Sequence, residues 1–179
     1  VKFELANISG TVSRTANGLR IHIDGSGPFM QRPWRLNDWF RTNFLALIAV
    51  GIHLGYLIAA IRVVVRFRQE IKQAGALYIT GHSLGGAVAE VAGLIASCML
   101  PSGNVIYKSM GGPAAWWFIT APVFWLIYRL RKVCGFWYIA GGDPVPLIPP
   151  WNVHLGHRVS LPSVGDPIRD HIHGYNKVS

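Results

Sequence analysis

Acidic side chains are scarce in this chain of 179 residues: eight Asp and Glu stand against 17 Lys and Arg, a formal charge of +9 with histidine neutral. Anionic partners are therefore favoured electrostatically. Charge of either sign is also sparse, at 14% of residues against 51% hydrophobic, where an ordinary globular chain has about 25% charged. That balance excludes a disordered chain. Only two cysteines are present, Cys98 and Cys134. They exclude a disulfide framework, and their apolar surroundings point to reduced core residues. One domain over residues 1–179 is expected, large enough to need no covalent staple.

No clean membrane span is visible. Phe44 to Ile61 and Gly111 to Tyr128 lack formal charge over 18 residues each, the short limit for a helix that needs about 20. Gly51, His53 and Gly55 interrupt the first, and Pro113 and Pro122 the second, so buried core helices are the better reading. The opening VKFELANISG reads as a strand. It has no basic, apolar and small-residue series of a leader, and a cytoplasmic or peripheral-membrane address is expected.

The basic residues cluster as Arg32, Arg35 and Arg41, then Arg62, Arg66, Arg68 and Lys72, then Arg129, Arg131 and Lys132. They follow apolar, aromatic-rich stretches with few polar residues for reading a nucleic-acid groove. An anionic membrane surface suits that pattern better than nucleic acid.

Along the chain, Lys2 to Arg14 and Leu19 to Ile23 read as antiparallel strands around an Asn17-Gly18 turn. Helical spacing begins at Asp38, and a second helix is expected from His53 to Gln73. Ala76 to Thr80, Asn104 to Ser109 and Phe136 to Ala140 read as buried strands, with Ala87 to Met99 a small-residue helix between the first two. The aromatic segment Ala114 to Lys132 reads as a helix interrupted at Pro122. The tail from Pro149 is loop-like apart from a strand at Arg158 to Leu161. Strands alternating with helices imply an α/β fold: a mostly parallel central sheet with N-terminal antiparallel strands and helices on both faces.

Tyr78 to Gly86 reads YITGHSLGG, a strand, a Gly-x-Ser-x-Gly turn and a helix start. Gly81 and Gly85 let strand and helix approach closely around Ser83, whose hydroxyl is held on a strained turn. The free N–H of Leu84 at the helix start is available to a developing oxyanion. A nucleophilic serine needs a base and an acid, which follow it in such a strand-turn-helix arrangement in the order acid, then His. Glu90 lies two turns along the same helix and cannot reach back. Asp143, in GGDPVPLIPP past a strand end, is the best acid, with Asp166 and Asp170 as alternatives. For the base, His171 leads, on a loop near the C-terminus, and His173, His154 and His157 remain open. A metal site built from those four histidines lacks Cys or Glu ligands nearby and is disfavoured.

Taken in order, these motifs resemble the class three lipases, an α/β-hydrolase group. IHIDGS at Ile21 to Ser26 resembles the family's oxyanion strand, Asp38-Trp39 and His53-Leu54-Gly55-Tyr56 its next two motifs, and ITGHSLGGAVA its nucleophile elbow. MGGPAA resembles the Gly-x-Pro step, GGDPVPLIPP the acid loop and RDHIHGY the closing His loop. Departures are Asp24 where the family carries Arg, Ala114 in place of another Arg, and an unusual Pro and Arg loop before Asp38.

The resemblance implies a serine ester hydrolase acting on lipid esters, acylglycerol or phospholipid, with Ser83, Asp143 and His171 as triad and Ser26 and Leu84 as oxyanion donors. It implies no cofactor. Aromatic residues near the site, Trp34, Trp39, Phe40, Trp116, Trp117, Phe118, Phe124 and Trp125, supply apolar surface, and an anionic membrane is the expected partner. The alternative is a non-catalytic membrane-associated protein on a hydrolase scaffold, motivated by Asp24 and the short region after Asp143.

Overall fold

The computed structural model describes residues 1–5, 8–25, 48–49, 52–100 and 103–178. The chain opens with β1 (Lys2–Leu5), β2 (Ile8–Thr15) and β3 (Gly18–Ile23), where apolar residues alternate with polar ones so that one side can be buried. β2 and β3 pair antiparallel from Thr15 opposite Gly18. The tight turn is therefore Ala16 and Asn17, one residue earlier than the sequence suggests. Gly18 belongs to β3 because the chain packs closely there: a Cβ on it would meet the Ala76 carbonyl oxygen at 2.3 Å.

Short strands β4 (Ile48–Ala49) and β5 (Ile52–His53) lead into α1 (Leu54–Arg66) and α2 (Arg68–Gln73). The single helix expected up to Gln73 is broken at Phe67, whose φ of −108° and ψ of 21° leave the helical region and whose buried ring packs on Phe3. Burying that ring outweighs one continuous helical turn. The helix expected from Asp38, and the cluster Arg32, Arg35 and Arg41, lie outside the described residues.

Next come β6 (Leu77–His82), α3 (Leu84–Ser97), β7 (Val105–Met110), β8 (Trp116–Trp117), α4 (Ala121–Leu130) and β9 (Val133–Ala140). A 3-10 turn at Val145–Leu147, β10 (Asn152–Val153), β11 (His157–Leu161) and α5 (Pro167–His173) complete the chain. A seven-stranded sheet runs β1-β2-β3-β6-β7-β9-β11, and a four-stranded sheet runs β10-β8-β5-β4. From β3 to β11 all neighbours in the large sheet are parallel, so their C-terminal ends share one edge. α3 packs against the sheet with its small residues, nearly all of them buried.

Three expectations need correcting. The aromatic segment is not one helix: Trp116 and Trp117 form a strand, and Pro122 sits in the first turn of α4, where its missing N–H has no intrahelical acceptor to lose. Nor is that stretch a buried helix, since α4 buries only Ala121 and Tyr128 and leaves Val123, Trp125, Leu126 and Leu130 exposed. Among the described residues no helix is long and apolar enough to cross a membrane. The cysteines are also not core residues. Both are free and exposed, Cys134 because β9 turns it, with Ile106 and Tyr78 in register, away from the face that α3 covers.

Candidate active site

Ser83 follows β6 and is the N-cap of α3. Its φ of 52° and ψ of −128° lie outside the regions that L-residues favour. The turn is held by Ser83 N–H donating to the Met110 carbonyl (2.9 Å) and Gly86 N–H donating to the Ser83 carbonyl (2.8 Å). Close packing explains the flanking glycines: a Cβ on Gly81 would lie 2.1 Å from the Gly85 oxygen, and one on Gly85 would lie 2.3 Å from the Ile23 oxygen.

Asp143 follows β9. Its strand lies two places from β6 at the same sheet edge, since Gly81, Ser109 and Trp137 are in register. Neighbouring strands are about 4.8 Å apart, so hydroxyl and carboxylate are separated by about the span of an imidazole with its two hydrogen bonds. His171 supplies that span: its Nε2 is 3.0 Å from Ser83 Oγ and its Nδ1 is 2.9 Å from Asp143 Oδ2. The carboxylate accepts, so Nδ1 carries the hydrogen and Nε2 presents its lone pair to the serine hydroxyl. Asp143 is fully buried at its side chain, whereas the imidazole keeps 22% exposure. The edge of the imidazole is open to solvent while the carboxylate is kept from it.

His171 lies on helix α5 rather than on the loop expected from sequence. Asp166 caps that helix, accepting from Ile168 N–H and Arg169 N–H at 3.0 Å each. Asp170 accepts from Gly142 N–H (2.8 Å), Val164 N–H (2.6 Å) and the Ser163 hydroxyl. The bonds from Val164 and Gly142 lead in holding its carboxyl below the usual range. Neither alternative acid faces the imidazole. His173 and His157 are exposed, and His154 is engaged with Glu90 (2.8 Å). Among the described residues no group of three or more His, Cys, Asp or Glu could hold a metal ion.

Two contributors escape the sequence reading. The Tyr175 hydroxyl donates to Asp143 Oδ2 (2.6 Å) and accepts from Ala140 N–H (3.1 Å). Burial, with the bond to Asp143, raises its pKa, so it stays a donor. Gly111 leaves it room: at φ +60°, a Cβ there would come within 2.7 Å of the Tyr175 ring and 3.0 Å of Asp143 Oδ2. The second is His82, whose Nε2 meets the main-chain carbonyl of His171. Its side chain thus bonds across to the helix of His171, outside its own turn. Tyr175 stands four residues after His171, a spacing that is informative on a helix end and silent on a loop. Leu84 opens α3, and its N–H has no intrahelical acceptor. Ser26 lies outside the described residues, as do Trp34, Trp39 and Phe40. The Asp24 carboxylate accepts from the Ser9 hydroxyl at 3.0 Å, and its main chain packs against Gly85 of the serine turn.

The fold is shared with fungal lipases of known structure. Lipase II from Rhizopus niveus is 20% identical with a TM-score of 0.65, over 89% of this chain and 64% of that one. The triacylglyceride lipase of Rhizomucor miehei is 18% identical with a TM-score of 0.61, over 90% and 65%. The Lip2 lipase of Yarrowia lipolytica is 16% identical with a TM-score of 0.58, over 90% and 64%. The chain thus spans just under two thirds of the length of these proteins, and the likeness is one of fold. No curated protein matches it. A protein-family model, lipase (class 3), matches residues 35–153, from ahead of the serine turn to beyond the acid loop. On that match the chain belongs to the class 3 lipase family.

Proposed function

We propose that the protein is a serine carboxylic-ester hydrolase acting on lipid esters, acylglycerol or phospholipid, through Ser83, His171 and Asp143. The observation that carries this reading is the continuous hydrogen-bonded series from Ser83 Oγ through His171 to Asp143 Oδ2, at 3.0 and 2.9 Å. His171 Nε2 takes the hydroxyl proton as Ser83 Oγ attacks the acyl carbonyl. Asp143 holds the ring and stabilises the imidazolium, which then protonates the departing alcohol. Water, activated by the same nitrogen, releases the acid from the acyl-enzyme. The backbone N–H groups of Leu84 and Ser26, with the Ser26 hydroxyl, are the oxyanion donors, each worth about 3 kcal/mol of barrier.

A lipid substrate is supported by the surface beside the site. Phe118 and Ile119 after β8, and Leu147, Ile148 and Trp151 after Asp143, are all exposed. Phe118 N–H donates to the Trp151 carbonyl (3.2 Å) and Ala114 N–H to the Ile148 carbonyl (2.9 Å), so the two segments form one apolar rim. An anionic membrane is the partner we propose on charge. Arg66, Arg68 and Lys72 precede β6, and Arg131 and Lys132 precede β9, at the other end of the strands from Ser83. Strands of six to eight residues at about 3.3 Å each put that charge about two Debye lengths from the rim, so it draws the protein to an anionic surface without orienting the rim, and docking rests on the rim's apolar side chains.

A panel of p-nitrophenyl esters and phospholipids, with fluorophosphonate labelling, tests the reading. Turnover with stoichiometric modification at Ser83 is expected. A folded protein that neither hydrolyses esters nor reacts with the label sinks it in favour of a non-catalytic, membrane-associated role. Binding to anionic vesicles should weaken as salt rises.

A further inference from the structure

We propose that Glu90 and His154 form a positioning pair that ties the loop carrying Asp143 to the helix that begins at Ser83; this rests on the triad reading above. Glu90 lies in the middle of α3 and is fully buried. A lone carboxylate there would be costly, and this one is engaged on both oxygens. Oε1 accepts from Trp116 Nε1–H and from Leu155 N–H, at 2.6 Å each, and Oε2 lies 2.8 Å from His154 Nδ1. The other ring nitrogen, His154 Nε2, is 3.0 Å from the Pro146 carbonyl. A carbonyl only accepts, so Nε2 carries a hydrogen. A second proton lies between Nδ1 and Oε2, and the ring is tied at both ends. It also stacks on Trp137 at 4.5 Å with 14° between planes.

The link to the site runs through Pro146. That residue belongs to the 3-10 turn Val145–Leu147, and Val145 N–H donates to Asp143 Oδ1 (2.9 Å). Of the other bonds of the turn, Leu147 N–H to the Pro144 carbonyl and Ile148 N–H to the Val145 carbonyl are internal and would travel with it, and the Ile148 carbonyl accepts from Ala114 N–H, on the segment before β8 and not on α3. His154 is the contact that fixes the turn to α3, the element bearing the nucleophile. Well-packed apolar residues would serve stability as well as a buried polar pair does. A fixed separation of carboxylate and hydroxyl is what the polar pair adds, and misplacement by about 1 Å can cost about a hundredfold in rate.

Two variants separate positioning from packing. In Glu90→Gln, the amide oxygen keeps the Trp116 and Leu155 bonds, the amide N–H donates to His154 Nδ1, and Nε2–H stays on Pro146. In Glu90→Gln/His154→Phe, the Trp137 stack and the Oε1 bonds survive without a buried charge, but Pro146 is released. The double variant should show a kcat about tenfold below that of Glu90→Gln, with KM equal within about twofold. Fluorophosphonate labelling of Ser83 should slow in parallel, and the low-field proton resonance of His171 Nδ1–H should weaken. A double variant with a cooperative melt and the kcat of Glu90→Gln overturns the proposal. So does a His154 ring, in the unmodified protein, whose Nε2–H exchanges with water as fast as that of the exposed His157, a measurement that needs no variant to fold. If the unmodified protein neither turns over esters nor labels, the hydrolase reading fails and takes this proposal with it. If it is active and the variants are alike, this proposal alone fails.

Discussion

His82 Nε2 lies 2.7 Å from the main-chain carbonyl of His171, so the residue before the serine holds the backbone of the imidazole that faces that serine. The carbonyl accepts, and Nε2 must therefore carry the hydrogen. Burial holds the His82 pKa below the usual histidine value, partly opposed by the bond to that carbonyl.

This makes stability depend on pH in a defined direction. With the folded pKa depressed, the unfolded chain binds more protons in the interval below the usual value of about 6.5. The contribution of His82 is then present above that value and is lost as pH falls through the folded one. His82→Gln, whose amide can still donate to the carbonyl but does not titrate, should flatten the decline in urea midpoint between about pH 7 and 5. A variant curve as steep as that of the unmodified protein would remove His82 as its source.

Ser83 stores backbone strain at φ 52° and ψ −128°. Strain of this kind costs on the order of 1–3 kcal/mol, and glycine's extra chain entropy returns about 0.5–1 kcal/mol. Ser83→Gly should therefore be more stable than Ser83→Ala by about 1 kcal/mol. Both should lose ester turnover and labelling entirely. Equal denaturation midpoints would mean that the elbow is not strained.

Tyr175→Phe removes the donor to Asp143 Oδ2 and leaves the Ala140 N–H without its acceptor. Stranding a buried polar group costs about 1–3 kcal/mol. Denaturant unfolding should record that loss, and kcat should fall with KM little changed. Unchanged turnover would show that the other Asp143 contacts suffice to hold it.

Asp170 joins the acid loop to the helix of His171 through Gly142 N–H, Val164 N–H and Ser163. Its depressed pKa means stability present above the usual carboxylate range and lost as pH falls through the folded value. Asp170→Asn should be less stable than the unmodified protein at neutral pH, and the gap should close as the solution is acidified. A gap constant with pH would rule out the carboxylate charge as its origin.

Legibility followed the range of the forces involved. The strands at Leu77–His82 and Val105–Met110 stood out as short apolar runs bounded by Gly, and Val133–Ala140 did so only from Phe136, because Gly135 lies inside it. Trp116 and Trp117 did not, because two aromatic residues read equally as helix and become strand only by pairing with β5 and β10. Exposure of α4 was hidden for a related reason. Apolar composition predicts a covering, and the described residues cover one side of that helix only.

Ser83 was readable from the chain because the requirement is local: two glycines, a strand before and a helix after, all within nine residues from Tyr78 to Gly86. The acid and the base were narrowed to a few candidates and no further, since a loop's length barely restricts where its side chains meet. Folding brings His171 to Ser83 and not His173: the two lie about 200° apart around a helix of 3.6 residues per turn, so only one faces the serine. It also sets Asp143 against the imidazole and gives the Asp170 carboxylate to backbone N–H groups. Tyr175, His82 and the Glu90–His154 pair belong wholly to that second level, because each joins residues distant in sequence through contacts that exist only once the sheet has brought its strand ends to one edge.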